Sequence, residues 1–413
     1  MKKPAPHLVV VGGGAAGFFA AITAAESFPD ARITILEKNR TLLNKVRISG
    51  GGRCNVTNAV PSLSQLVQGY PRGGKFLRPL VKQFSNADTV RWFEDRGVPL
   101  KTEPDGRIFP VSDDSADVVQ CLIDTARRQR VEIRTSINIQ SIDCQPDKFS
   151  VRLAPDELIL ADQLLIASGG HPNASGYGWL AELGHTIVPP VPSLFTFNVP
   201  ASPLLALAGV STPKASVRVP GTRQTQEGPV LLTHWGFSGP AVLRLSAWAA
   251  RELAACNYQF DVAFNWNAET NDQTVRQLLA DYRRIHARKQ VVSVPAPGLP
   301  QRLWRTLVLE AGVPETTRWA DAPAKALNRL CELLVNGTFR VAGKTTFKEE
   351  FVTCGGIALS DVNPQTLESL HQPGLFFAGE VLDIDGITGG YNFQAAWTTG
   401  YIAGKNCFGK NSI

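Results

Sequence analysis

The seven cysteines are odd in number and scattered, and no two form a C-x-x-C pair. That spacing argues against a disulfide framework and a zinc site, and it fits a reducing compartment. Long apolar runs are scarce as well. Only Leu8 to Ala25, behind Lys2-Lys3, has the look of a signal peptide or membrane span. Gly12, Gly13, Gly14 and Gly17 interrupt it at a spacing that carries its own meaning. No other stretch is long and apolar enough to cross a bilayer, so the chain reads as soluble and cytoplasmic. Tandem repeats and low-complexity segments are absent. Charge is nearly balanced, with 42 Lys and Arg against 36 Asp and Glu and a net +6. A mild positive balance suits an anionic ligand and leaves nucleic acid open without demanding it. Arg127-Arg128-Gln129-Arg130 and the run from Arg283-Arg284 to Arg288-Lys289 could form a phosphate-binding stripe. The favoured reading of both is a solvated helix face.

What is present points to an α/β protein. The 413 residues are 44% apolar with 36 glycines, enough for two or three domains. Leu8–Val11 reads as a buried parallel strand, Ala15–Ser27 as a helix and Arg32–Glu37 as a second strand, which together make a βαβ unit. Residues 75–97 and 114–130 read as helices, 131–160 as short strands, and 161–167 as another buried strand. Beyond Pro189-Pro190, short strands alternate with Pro and Gly, the pattern of an antiparallel sheet or barrel. Residues 271–289 and 303–335 read as helical. The parallel-sheet pattern then returns at Leu375-Phe-Phe-Ala-Gly379, followed by a helix from about Phe393 to Asn406. A dinucleotide domain split by an insertion explains this order.

Gly12-x-Gly14-x-x-Gly17 lies between a predicted strand and a predicted helix, and Glu37 ends the next strand 20 residues after Gly17. The first glycine makes the turn, the second admits the pyrophosphate, and the third lets the helix pack on the sheet. The helix start, with Gly13, Ala15 and Ala16, then offers free N–H groups to the pyrophosphate. Glu37, with Lys38 beside it, should take the adenosine ribose hydroxyls. A carboxylate there repels a 2′-phosphate, so the site holds FAD or NAD rather than NADP. FAD is favoured by the distant strand end Gly379-Glu380, where Glu380 would meet the ribitol. The segment Thr388-Gly389-Gly390-Tyr391-Asn392 would bring a helix N-terminus to the flavin. Ser168-Gly169-Gly170, after the strand 161–167, complete the expected cofactor contacts.

In Lys45-Val-Arg47-Ile-Ser49-Gly50-Gly51-Gly52-Arg53-Cys54-Asn55, three successive glycines let backbone N–H groups crowd a flat or anionic ligand. Arg47 and Arg53 could neutralise a pyrophosphate or an anionic substrate. Cys54 is a candidate redox partner for a flavin, although a lone buried cysteine is more often inert packing. Thr233-His234-Trp235-Gly236-Phe237-Ser238-Gly239-Pro240 precedes a helix. Ser238 is expected as its N-cap and Pro240 near its first turn.

These stretches resemble the BaiN/YhiN-type NAD(P)/FAD-dependent oxidoreductases, which include aminoacetone-oxidase-like flavoproteins. The resemblance rests on residues 11–18, 45–58, 106–113, 233–246, 352–362 and 374–404, and spans nearly the whole chain. It implies an α/β fold in which a glutathione-reductase-like Rossmann FAD domain (1–190 and 340–413) is interrupted by an inserted substrate domain. That insertion would comprise a β-barrel part (191–268) and a helical part (269–339). It places 45–55 along the flavin and implies redox chemistry on a small organic substrate. The loop from Ser168 to Gly178 is shorter than in family members, so contacts of that loop do not carry over. For the proton that accompanies a flavin hydride, His234 is the first candidate, Tyr391 the second and His171 the third.

The expected activity is therefore an FAD-dependent oxidoreductase, fed by NAD(P)H or using O₂. The alternative is a tRNA- or RNA-modifying flavoprotein, supported by net charge and basic helices; nucleic acid is the less favoured partner. Only one dinucleotide fingerprint is visible, so NAD(P)H would visit transiently. No metal is expected.

Overall fold

Five short strands line up in parallel in a computed structural model that describes residues 5–145, 148–345 and 352–409, the inner ones apolar on both faces. Lys2 and Lys3 lie outside the described residues. The strands are β1 (His7–Val11), β2 (Arg32–Leu36), β3 (Glu132–Arg134), β4 (Gln163–Ile166) and β5 (Leu375–Phe377). Their order is β5-β4-β1-β2-β3, and every pairing is parallel. Val9, Val10, Leu164, Leu165 and Phe377 have no exposed surface, because a parallel sheet of this kind is covered on both sides. The chain builds outward from β1 through β2 to β3, then returns to β4 and β5 on the other side. That reversal beside β1 is the switch point at which open α/β sheets bind ligands.

Two helices matter most to the sheet: α1 (Ala15–Ser27), directly after β1, and α2 (Tyr391–Asn406), after β5. An antiparallel layer of Ile139–Cys144, Phe149–Leu153 and Glu157–Ala161 connects β3 to β4. A small antiparallel sheet joins Thr57–Asn58, Arg107–Pro110 and Leu100–Thr102. Residues 75–97 are not one helix but two, Gly74–Val81 and Asn86–Glu94. The break comes from Ser85, which caps the second helix in a reciprocal box with Asp88.

The chain divides into two compact units, residues 1–192 with 347–413, and residues 193–346. The second is built on a seven-stranded antiparallel sheet. Its edge strands, Gly337–Ala342 and Lys344–Thr345, are separated only by Gly343, so the sheet curls until its two edges are neighbours in sequence. Phe237, Phe264 and Phe339 fill its interior, with Phe237 and Phe264 ring centroids 4.5 Å apart. Helices from 269–339 bury Val275, Leu303, Trp304 and Leu330 in that same core, so strands and helices share one unit. The stretch 303–335 is interrupted: Gln301–Glu310 and Ala324–Asn336 are helical, with Gly312, Pro314 and Pro323 between them. Ser238 is not the N-cap of Pro240–Trp248. Gly239 holds that position at φ +93°, where a side chain would press on the Leu231 backbone, and Ser238 ends the strand Gly236–Ser238.

Among the described residues, no helix is long and apolar enough to cross a membrane, and no group of three His, Cys, Asp or Glu side chains could hold a metal.

Candidate functional site: a dinucleotide cleft

In a parallel sheet all C-terminal strand ends share one edge. Gly12 follows β1, Glu37 follows β2, Ser168 lies just past β4 and Gly379 just past β5. Four segments far apart in sequence therefore meet at the switch point. Gly12 N–H extends the ladder to Leu36 O at 2.8 Å, and the turn begins there at φ +113°, where a Cβ would press on Ala167 O. A Cβ on Gly17 would run into the Gly12 carbonyl oxygen, so only glycine lets α1 start this close to β1. Gly14 caps α1 without a side-chain hydrogen bond, and a Cβ there would meet nothing within 4 Å. The start of α1 thus borders open space at Gly14, at the positive end of the helix dipole, where an anion is favoured.

Glu37 is buried, at 8% exposure. Its Oε2 accepts from Gly13 N–H at 2.8 Å, and its Oε1 accepts from Asn39 N–H at 2.7 Å and Asn39 Nδ2 at 2.8 Å. The carboxylate therefore also holds the glycine turn in shape, and its oxygens keep lone-pair capacity for ribose hydroxyls. Lys38 is exposed beside it.

Glu380 is engaged on both oxygens. Thr353 N–H donates to Oε1 at 2.7 Å, and Lys45 Nζ stands 2.6 Å from Oε2. Sequence reasoning placed Lys45 and Glu380 at the site separately; the structure pairs them across 335 positions. It missed Thr353, whose buried Oγ1 has no hydrogen-bond partner and lies where a side chain on Gly170 would go.

The N-terminus of α2 is assembled by amides. Gly390 sits at φ +93° against the Thr57 backbone, where a Cβ would fall 2.5 Å from the Thr57 carbonyl carbon. With its amide oriented to satisfy both ends, Asn55 accepts from Gly390 N–H at 3.0 Å and donates to Thr57 O at 2.9 Å. Asn58 Nδ2 donates to Gly389 O at 3.0 Å, and Asn392 exchanges two hydrogen bonds with the Gly386 backbone. The segments 45–58 and 386–392 are thereby brought together. Their union leaves α2, like α1, with no side-chain cap. Tyr391 is buried, its ring against Gly69 and edge-on to Tyr70 at 5.7 Å, while Tyr70 Oη donates to Tyr391 O at 2.8 Å. Burial pushes the Tyr70 phenol well above its usual range. Arg72 grips Asp385 in a two-pronged ion pair whose Nε–Oδ1 arm is 2.6 Å, and Asp385 has no exposed surface. Sequence reasoning missed this pair. The signal was two acids, Asp383 and Asp385, within the otherwise apolar stretch 381–387, because a buried carboxylate requires a partner.

Gly50, Gly51 and Gly52 all adopt left-handed backbone, at φ 59°, 70° and 87°, directly after Ser49. Arg53 is committed elsewhere. Its Nη1 lies 2.7 Å from Glu103 and 3.2 Å from Asp113, with the guanidinium 3.9 Å above Phe109. Its charge is balanced by acids rather than held ready for a pyrophosphate. Cys54 has no exposed surface, and burial pushes its thiol up to about 12. That burial fits Cys54 as packing rather than as a redox partner.

His234 stands exposed on the turn between Thr225–Leu232 and Gly236–Ser238, closed by Thr233 Oγ1 donating to Gly236 O at 3.0 Å. His171 is held inside its own loop, with Nδ1 3.0 Å from Asn173 O.

A profile of the HI0933-like protein Rossmann domain matches residues 6–406. The chain is 31% identical over 412 residues to a 3-dehydro-bile acid delta(4,6)-reductase of Clostridium scindens, covering 96% of this chain and 97% of that protein. It is 28% identical over 421 residues to a ribosomal RNA dihydrouridine synthase of Escherichia coli, covering 98% of each. Among solved structures, the 3-ketosteroid-delta4-(5alpha)-dehydrogenase of Rhodococcus jostii RHA1 shares the fold, with a TM-score of 0.50 at 13% identity and 98% of each chain covered.

Proposed function

The chain belongs to the HI0933-like family and is an FAD-dependent oxidoreductase, and from that premise we propose that it reduces an electron-poor C=C bond in a small organic substrate. The observation that carries the cofactor is a pair of helices without side-chain N-caps, α1 and α2, packed side by side with Gly400 on Ala16 O and Gly404 on Ala20 O, so that α2 starts about 12 Å beyond the start of α1. A single dinucleotide half would need one; FAD is long enough to use both. In this reading the α1 start takes the pyrophosphate, Glu37 the adenosine ribose and Glu380 the ribitol. The loop 388–392, held by Asn55 and Asn58, takes the flavin edge that becomes negative on reduction, where the dipole of α2 favours that charge. The names of the two relatives, a delta(4,6)-reductase and a dihydrouridine synthase, both describe saturation of a C=C bond. Such a saturation adds a hydride, which the flavin would supply after its reduction by NAD(P)H, and a proton, which the protein must supply.

We assign the proton to His234. Its ring is exposed, whereas the Tyr391 ring is packed among glycines. Replacing it with Gln should lower turnover about 10²-fold with full FAD content; near-normal turnover with an unshifted pH profile would return His234 to a structural role. The reaction itself is tested anaerobically. Holoprotein bleached by NAD(P)H is mixed with cyclohex-2-enone or a 4-ene-3-oxosteroid, and the flavin colour should return. Return only on admitting air would make the protein an oxidase instead.

A second reading, action on RNA, has one specific support besides the E. coli relative. Residues 193–346 hold 17 Lys and Arg against 10 Asp and Glu, while the rest of the chain holds 25 against 26. If RNA is the substrate, the purified protein should retain nucleic acid at low salt and lose it steeply as salt rises.

A further inference from the structure

Lys45 and Glu380 approach the start of α1 from opposite flanks. On one flank, Leu43 N–H donates to Gly13 O at 3.1 Å, so the segment carrying Lys45 is pinned along the glycine turn. On the other, Gly379 backs onto Ala16, where a Cβ would come within 2.7 Å of the Ala16 methyl. The ion pair, 2.6 Å long, joins these two flanks. Its halves differ in freedom. The Glu380 side chain is 19% exposed and fixed by Thr353 N–H at 2.7 Å, while the Lys45 side chain is 47% exposed on a flexible stem. The carboxylate is therefore the post and the lysine the moving part.

We propose that the Lys45–Glu380 pair is a latch across the dinucleotide cleft, which a cofactor must open both to enter and to leave. The inference rests on the FAD reading above. A latch has a kinetic signature that an ordinary ligand contact lacks. Removing a contact speeds release and weakens binding in proportion. Removing a latch speeds entry and release together and leaves the dissociation constant nearly unchanged.

The test measures FAD association by stopped-flow fluorescence and FAD release from the holoprotein, for wild type, Lys45→Met and Lys45→Arg. In Lys45→Met both rates should rise about fivefold, the scale of a partly exposed ion pair, with Kd within about twofold of wild type. Lys45→Arg should restore slow exchange. Added salt should speed wild-type exchange more than Lys45→Met exchange, because the pyrophosphate contacts are screened alike in both and only wild type has the exposed pair to screen as well. Unchanged rates in Lys45→Met, or faster release alone with a matching loss of affinity, would overturn the latch while leaving FAD binding intact. Wild type that takes up no FAD would overturn both the latch and the reading beneath it.

Discussion

The unit that carries the dinucleotide cradle has no net positive charge, with 25 basic against 26 acidic residues, whereas residues 193–346 carry the whole basic excess of the chain. An anionic cofactor is thus expected on the unit whose overall charge does least to attract it. The explanation is local. Uncapped N–H groups at the start of α1 present fixed partial charges at short range, and net charge contributes little at that distance. The whole-chain charge of +6 suited an anionic cofactor only by coincidence. Both units rest on backbone approaches that admit no side chain, Gly17 and Gly390 in the first and Gly236 in the second, and both bury interleaved rings, Phe19, Phe93 and Trp397 in the first and Phe237, Phe264 and Phe339 in the second. What differs is that the cofactor cradle hangs on the glycines of the first alone.

That contrast can be broken deliberately. The largest effect is expected from Gly17→Val, whose side chain collides with the Gly12 carbonyl. FAD content should fall to background while hydrogen exchange in Gln259–Asn265 stays protected; loss of protection there would mean the units do not respond separately. The converse change, Phe264→Ala, removes a fully buried ring and should cost about 3–5 kcal/mol in chemical denaturation. Purified at low temperature, it should keep full FAD content. Smaller still is Glu37→Ala. FAD binding should weaken by about 1–3 kcal/mol, the worth of hydrogen bonds to a charged group, and an unaltered Kd would remove Glu37 from the ribose. Because Glu37 also holds Gly13, Glu37→Gln should recover part of the loss.

The smallest predicted effect is a pH dependence confined to the first unit. His7 and His185 are both buried there, and burial holds each below its ordinary value. His7 Nε2 meets Thr34 Oγ1 at 2.9 Å, and His185 Nε2 meets Ser369 Oγ at 2.8 Å. The unfolded chain therefore takes up protons that the folded chain refuses. Their contribution is intact above the unfolded value of about 6.5 and is lost as pH falls below it, at most about 1.4 kcal/mol per pH unit per histidine. The urea midpoint should drop between pH 7.5 and 5.5, and a His7→Asn/His185→Asn variant should show a shallower drop. An equal drop in the variant would assign the acid sensitivity to carboxylates.

How much of this was legible in sequence differs by range of interaction. Ala15–Ser27 is helical over the predicted bounds, because the glycine fingerprint and the alanine run are local signals. The break at Ser85 was also local, as Ser85-Asn-Ala-Asp88 is a capping box, and periodicity alone concealed it. The pairing of Lys45 with Glu380, the Asn55 clamp on Gly390 and the Arg72–Asp385 pair were not legible. Each joins segments more than 300 positions apart, and nothing in either segment names its partner. Nor was the shared core of 193–346 legible. Helices and strands there close one core, and composition changes along it although packing does not.

The central claim is that the two helix starts without side-chain caps, those of α1 and α2, hold a single FAD. Heat release of the cofactor from purified protein, followed by mass spectrometry, tests it most directly. The account predicts one FAD per chain. NAD in its place, or no cofactor after reconstitution with FAD, would contradict it.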